Sequence, residues 1–243
     1  RLTGIKPENI DYSDPNIYKL FQNLDTCGIP GFSTDRSKEI LQKCKDVQFS
    51  DLVRVGGMSC GSAVWDNNGE HLLQNHSFRD LIATRDDIFL TLRKYSIASK
   101  TAQAVMERVR KGKFCEDTQQ NRKMTQQLLR AGIPAWYVAS MGKIRYLFPK
   151  AHAVHHAKMA AALAWFKVYH PKAFYHISLA SMKAGDLLQY SDEALGEKYK
   201  TLDNRDAFKE PDREVIALLL EARRRKISLN GQDMYGAANS NIR

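Results

Sequence analysis

Apolar residues recur at helical spacing along most of the chain, and Gly, Pro and capping side chains mark where one helix gives way to the next. Ile17, Leu20 and Phe21 predict a short amphipathic helix that Ser13 or Asp14 caps and Pro15 opens. Gly28, Pro30 and Gly31 break the chain, and Ser33 or Thr34 starts a second helix whose Ile40 and Leu41 face a core. The run from Phe49 to Val55 leads into Gly56-Gly57-Met58-Ser59-Cys60-Gly61-Ser62, which reads as a tight turn, and residues 65–78 read as a loop. Residues 78–82 and 85–90 read as helical, followed by an amphipathic helix over 99–113 with Ala102, Val105, Met106 and Val109 inward. A Gln-rich helix over 118–130 stops at Gly132-Ile133-Pro134, and a shorter one begins at Ala135. Beyond Pro171 a helix carries Phe174, Tyr175, Ile177 and Leu179, residues 191–209 read as polar and mobile, and Pro211 opens a last helix with Val215, Ile216, Leu218 and Leu219 inside. The expected class is mainly α, with room for one or two short strands near the C-terminus, at Ile227-Ser228-Leu229.

The longest predicted helix starts at Pro149 and runs towards His170-Pro171, roughly 30 Å at 1.5 Å per residue. Lys150, His152, His155, His156 and Lys158 crowd its first turns, where the helix macrodipole opposes cations and favours anions. Such a start implies an anionic partner. Free backbone N–H groups with Lys and His beside them suit a polyphosphate or a nucleic-acid backbone, although a solvated basic face has the same spacing. His152 and His156 share a face, yet no Glu follows His152 and no third ligand lies nearby, so no metal site is expected there. Adjacent Asp86 and Asp87 project in different directions and are not read as a metal pair, and residues 56–62 lack the spacing of a phosphate-binding loop.

Composition narrows the partners. With 243 residues, 43% apolar and 26% charged, the chain can bury a substantial core, and no apolar run is long enough to span a membrane. Lys and Arg number 37 against 27 Asp and Glu, and this net charge of +10 favours nucleic acid, an anionic surface or an acidic protein. Arg108, Arg110, Lys111 and Lys113 place part of that charge on one helix face and its end. Cys27, Cys44, Cys60 and Cys115 have no C-x-x-C spacing, as expected of reduced thiols in a cytoplasmic protein. The start at Arg1 is neither a methionine nor a signal peptide, which suggests a piece of something longer.

The ordered set Thr3-Gly4-Ile5, Leu52-Val53-Arg54, Met58-Ser59, Arg85-Asp86-Asp87, Val109-Arg110-Lys111-Gly112-Lys113, Pro134-Ala135-Trp136-Tyr137 and Phe148-Pro149-Lys150-Ala151-His152-Ala153 resembles the bacterial DNA polymerase III alpha subunit of the Gram-positive PolC type. The likeness runs from Arg1 to about Ala238. Two stretches depart from the family: Met58-Ser59-Cys60-Gly61-Ser62 stands where it usually reads Leu-Ser-His-Gly-Thr, and Ala151-His152-Ala153-Val154-His155-His156 where it usually reads Ala-His-Ala-Ala-Ala-Tyr, so that Cys60 replaces a His and His156 a Tyr.

The resemblance implies the helical fingers of a C-family replicative polymerase over residues 1–185, with 186–243 leading towards the duplex-binding region. It makes Arg54, Ser59, Arg85, Lys150, His152 and His156 candidates for contact with an incoming dNTP. Arg108, Arg110, Lys111, Lys113 and Lys158 become candidates for primer–template DNA. The implied chemistry is phosphoryl transfer assisted by two Mg2+ ions, bound by a palm outside this chain, so the fragment alone is expected to be inactive. The remainder of the polymerase chain, the sliding clamp and other replisome proteins are the further partners implied, with no membrane. The alternative reading is a non-catalytic helical nucleic-acid-binding module descended from such fingers.

Overall fold

The computed structural model describes residues 3–182, 184–202 and 211–229, and among these the fold is helical throughout. The helices are α1 (Pro15–Gln22), α2 (Asp35–Leu41), α3 (Phe49–Cys60), the single turn α4 (Glu70–Leu72), α5 (Arg85–Lys94), α6 (Ser99–Arg110), α7 (Gln119–Arg130), α8 (Ala135–Lys143), α9 (Lys150–Tyr169), α10 (Pro171–Ser181), α11 (Asp192–Thr201) and α12 (Pro211–Arg224). The chain packs as two units, one made of residues 1–38 and 159–243 and the other of residues 39–158. This division by packing differs from the boundary at residue 185 that the resemblance implies. No strand occurs among the described residues; the one β feature is an isolated antiparallel bridge between Ser62 and Tyr146, and Ile227-Ser228-Leu229 form no ladder. No described helix is long and apolar enough to cross a membrane.

Four local expectations are corrected. The glycine-rich stretch at 56–60 is the last half of α3 and not a turn. Its glycines serve close packing: a Cβ on Gly57 would lie 2.6 Å from the Ala83 carbonyl oxygen and 2.8 Å from Thr84 Cγ2. Helix propensity lost at two glycines is thus recovered by letting the start of α5 approach the backbone of α3. Residues 65–72, read as a loop, wind through one π-type turn and α4, with Asn67 in the left-handed region at φ 56°. Residues 78–82 are helical only at Phe78–Asp80, in one 3-10 turn. The polar segment from 191 does form a helix, α11, because Ser191 accepts from the Ala194 N–H and Asp192 and Glu193 sit favourably at its start.

In the unit of residues 39–158, α5 packs most extensively on α6. Buried Ile88 and Leu92 come from α5, and Ala102, Val105 and Val109 from α6, as the 3.6-residue pattern requires. Their connection closes α5 with a Schellman cap: Ile97 N–H reaches Leu92 O at 3.1 Å, Ser96 N–H reaches Arg93 O at 3.1 Å, and Ser96 takes φ 60°.

The other unit is built on α1, the second half of α9, α10, α11 and α12, with Ile17, Phe21, Phe32, Tyr175, Leu179, Ile216 and Leu219 in its core. A polar cluster lies inside it. Lys167 has a fully buried side chain whose Nζ donates to the carbonyls of Asp25 and Cys27, both at 2.9 Å, and pairs with Asp25 Oδ1 at 3.2 Å and Glu221 Oε1 at 2.9 Å. Arg225 meets the same two carboxylates, and the Tyr175 hydroxyl donates to Glu221. One ammonium therefore joins the turn after α1 to α9 and α12. Nearby Cys27 has its thiol pushed up to about 12, first by burial and then by the Glu221 charge, so it stays protonated.

Two substitutions test this packing by denaturant unfolding. Gly57→Ala is expected to cost about 1–3 kcal/mol, the usual overpacking range. Lys167→Met, which removes the enclosed cation that Asp25 and Glu221 share and leaves Arg225 as their remaining partner, is expected to cost about 3 kcal/mol, the lower end of the range for breaking a buried pair.

Candidate nucleotide and nucleic-acid interface

The candidate site is organised by the extended strap that joins α8 to α9, residues 144–149. Its backbone hydrogen bonds go to three different places. Arg145 N–H and Tyr146 N–H reach Ser62 O at 3.0 and 3.2 Å, and Ser62 N–H returns a bond to Tyr146 O at 3.0 Å. Leu147 N–H reaches Arg110 O, at the end of α6, at 3.3 Å. Phe148 O accepts from Arg85 N–H at 3.4 Å, at the start of α5. The strap also runs tight against the turn after α6, where a Cβ on Gly112, at φ +70°, would lie 2.5 Å from Arg145 O. Sequence segments far apart in the chain, at 58–62, 85–87, 109–113 and 148–153, are thereby gathered around the start of α9.

Within this frame the acidic pair is fully engaged. Asp86 Oδ2 accepts from the Lys150 N–H at 3.1 Å and lies 3.7 Å from Arg85 Nε. Asp87 Oδ2 accepts from the N–H groups of Ala83 and Thr84 at 3.0 and 2.8 Å and lies 3.8 Å from an Arg54 nitrogen. The anion required by the cationic start of α9 is thus supplied in part from within, by Asp86. Ala151 and His152, in the same first turn, keep backbone N–H groups that have no intrahelical acceptor. The Lys150 ammonium makes no hydrogen bond or ion pair among the described residues and is half-buried.

The remaining sequence candidates divide by what holds them. His152 is exposed, His156 is half-buried, and both rings stand by Phe148, with centroids 5.9 and 5.6 Å away. Arg54 is turned inward, donating to the carbonyls of Phe78, at 3.2 Å, and Leu81, with its guanidinium 5.7 Å from the Phe78 ring. Ser59 donates to Gly56 O, at 3.3 Å, on its own helix. Arg108 Nε donates to Asn121 Oδ1 at 2.8 Å, and the Asn121 amide in turn satisfies the carbonyls of Lys113, Phe114 and Glu116. Arg110 forks onto Glu107, 2.8–3.2 Å away, and Lys111 lies 3.8 Å from the same carboxylate. Lys113 is exposed, and so is Lys158, eight residues into α9.

Electrostatics link these cations. The Arg110 hydrogen bond holds the Glu107 carboxyl below the usual range, with Arg110, Lys111 and Arg85 charges adding to it. Arg85 therefore stands between the end of α6 and the start of α9, and one carboxylate faces three cations. Sequence reasoning missed Asp86 as a cap and the strap residues Arg145 and Tyr146 as part of the site. Asp86 lies 64 positions from its partner, so no local spacing could disclose it. The exposed Tyr146 and Arg145 immediately before Phe148 were the available signal.

Among the described residues no group of three or more His, Cys, Asp or Glu could hold a metal ion. The carboxylates at 86 and 87 are already committed to backbone N–H groups and arginines. The residues present do not fit a pair of Mg2+ ions.

Comparison with known proteins identifies the family. The bacterial DNA polymerase III alpha subunit finger domain model matches residues 1–132, and the chain belongs to this family. Its relatives are of PolC type. The DNA polymerase III PolC-type of Clostridium perfringens is 34% identical over 224 residues, which cover 84% of this chain and 15% of the relative. That of Listeria innocua is 37% identical over 190 residues, 72% of this chain and 13% of the relative. That of Halalkalibacterium halodurans is 31% identical over 258 aligned residues, 96% of this chain and 18% of the relative. The chain spans less than a fifth of the length of these relatives.

Two measurements probe the site's construction. Asp86→Ala is expected to cost about 1 kcal/mol, the worth of a helix N-cap, and Asp86→Asn much less, as read by unfolding. Because the Glu107 pKa is lowered in the folded protein, its contribution is present above the unfolded carboxylate pKa and is lost as pH falls through the folded one. It amounts to about 1 kcal/mol or less at this partly exposed position. Glu107→Gln should flatten that acid-side loss in a stability-versus-pH titration.

Proposed function

We propose that this chain is the nucleotide-engaging part of a longer replicative DNA polymerase of the cytoplasm. In this reading the start of α9 receives the phosphates of an incoming dNTP. The observation that carries it is the unpaired Lys150 ammonium, set beside free N–H groups of the first turn and within the strap's arrangement of Arg85, Arg110 and Lys111. Lys150 and Arg85 supply charge to the phosphates. Phe148, His152 and His156 offer ring surface to the base or sugar. Ser59 lies close by in sequence to the strap's anchor at Ser62 and is assigned to the same surroundings. Arg54 acts as a positioning residue, since it fixes the 78–81 segment and Asp87.

Primer–template DNA would follow the basic end of α6 and the turn after it, with Arg110, Lys111, Lys113 and, on α9, Lys158 near the backbone. Arg108 would hold that turn in shape through Asn121. The chemistry assigned to the polymerase is attack of a primer hydroxyl on the α-phosphate, with Mg2+ held by carboxylates elsewhere in the polypeptide. This chain's share is to bind and orient the nucleotide and to offset charge on its phosphates. The sliding clamp and other replisome proteins stand as partners of the whole polymerase, not of this part.

The test is steady-state kinetics of the full polymerase carrying Lys150→Ala. Loss of one charge-assisted contact, about 1.5–3 kcal/mol, should lower kcat/KM for dNTP about tenfold or more while leaving primer–template affinity near its original value. Unchanged kinetics would remove Lys150 from the site.

A further inference from the structure

A second feature, away from the strap, lies wholly within the unit of residues 39–158. Two cavities adjoin each other across Arg79, which lines both. The larger, about 600 Å³, is edged by Lys43, Lys45, Asp46 and His76. The smaller, about 330 Å³, is walled by Leu90, Tyr95, Pro134, Trp136 and Tyr137, with Lys94 at its edge. His76 of the first stacks on Trp136 of the second, with centroids 4.0 Å apart and planes 22° from parallel. A hollow edged by lysines is thus coupled to an aromatic one by a stacked pair of rings.

The charges can be sorted. Asp51 is buried and taken by Arg79 at 2.9 and 3.1 Å, and Asp87 faces Arg54. Each acid is matched within the protein. Lys43, Lys45 and Lys94 are exposed and make no hydrogen bond or ion pair among the described residues, and they face the acids Asp46 and Asp80. Leu90 and Tyr95 are 51% and 37% exposed, an unusual pairing of large apolar side chains at the end of one helix. A ligand that suits both cavities presents an anion to the lysines and a flat ring to the aromatics, repeated along its length.

We propose that these paired cavities bind single-stranded nucleic acid, with a backbone phosphate near Lys43 and Lys45 and an unpaired base against Tyr95 and Trp136. Base stacking on aromatic side chains beside a basic track is the general means of holding a single strand without reading its sequence. The small excess of lysine over aspartate makes stacking the larger share of the affinity and the salt dependence shallow. This site is independent of the α9 start: it uses none of Lys150, His152 or His156, and it stands whether or not that start binds dNTP.

The test uses the full natural polypeptide containing this sequence and an oligo-dT carrying 5-iodouracil, which photo-cross-links to aromatic side chains in contact with it. Cross-linked peptides are expected to contain Tyr95 or Trp136. Tyr95→Ala should weaken cross-linking at this site about fivefold or more, the worth of one stacked base. The double variant Lys43→Gln, Lys45→Gln should reduce the same cross-link and lower the salt slope of its yield by about 0.7, the share of one neutralised phosphate on a single strand. Lys150→Ala should leave it unchanged, so failure of the dNTP reading would not disturb this result. Cross-links that map only elsewhere, or a Tyr95 cross-link indifferent to the lysine changes and to salt, would overturn the proposal.

Discussion

The candidate site depends on a backbone strap that satisfies its own polar groups by reaching three separate segments. Extended chain between two helices must place its N–H and C=O groups somewhere, and here they pair with Ser62, Arg110 and Arg85. Each bond fixes the end of a different helix. The positions of Lys150 and His152 are therefore consequences of main-chain hydrogen bonding and of two glycines, Gly57 and Gly112, that let backbones approach. Side-chain chemistry is added to a frame that main-chain atoms have already set.

Charge in this frame is handled by local neutralisation more than by a uniform positive surface. Arg54, Arg108 and Arg110 are bound to carbonyls, an amide and a carboxylate, while Lys111 shares Glu107 with Arg110. The net charge of +10 overstates what is free to meet an anion. What distinguishes Lys150 is that its neighbour Asp86 is spent on the backbone N–H, leaving the ammonium over. The opposite solution appears in the unit of residues 1–38 and 159–243, where Lys167 is wholly enclosed and shared among two carboxylates and two carbonyls.

Most helices were legible in the sequence because caps and apolar periodicity are local: Asp14 with Pro15, Thr118, Gly132 and Pro171 mark boundaries within a residue or two of those observed. The strand at 227–229 does not form, the Ser228 carbonyl meeting the His176 ring at 2.7 Å and not a second strand, and the turn at 56–60 is helical because its glycines answer to residues 83–84, which lie beyond any local window. Family membership was legible from the ordered motifs. The strap that assembles them was not, since Ser62 with Tyr146 and Asp86 with Lys150 are long-range pairs. Likewise, spacing placed Arg54 and Arg108 among the basic candidates but could not show that their guanidinium groups turn inward.

The glycine pair of α3 has a bearing on where that helix draws its stability. A twelve-residue helix with two central glycines has little tendency to persist by itself in water. Its second half gains stability when the backbone at 83–84 arrives against Gly57. The start of α5 is itself fixed by the Asp87 capping bonds and by Phe148 O. The C-terminal turns of α3 thus owe part of their stability, through the start of α5, to a segment almost a hundred residues further along the chain.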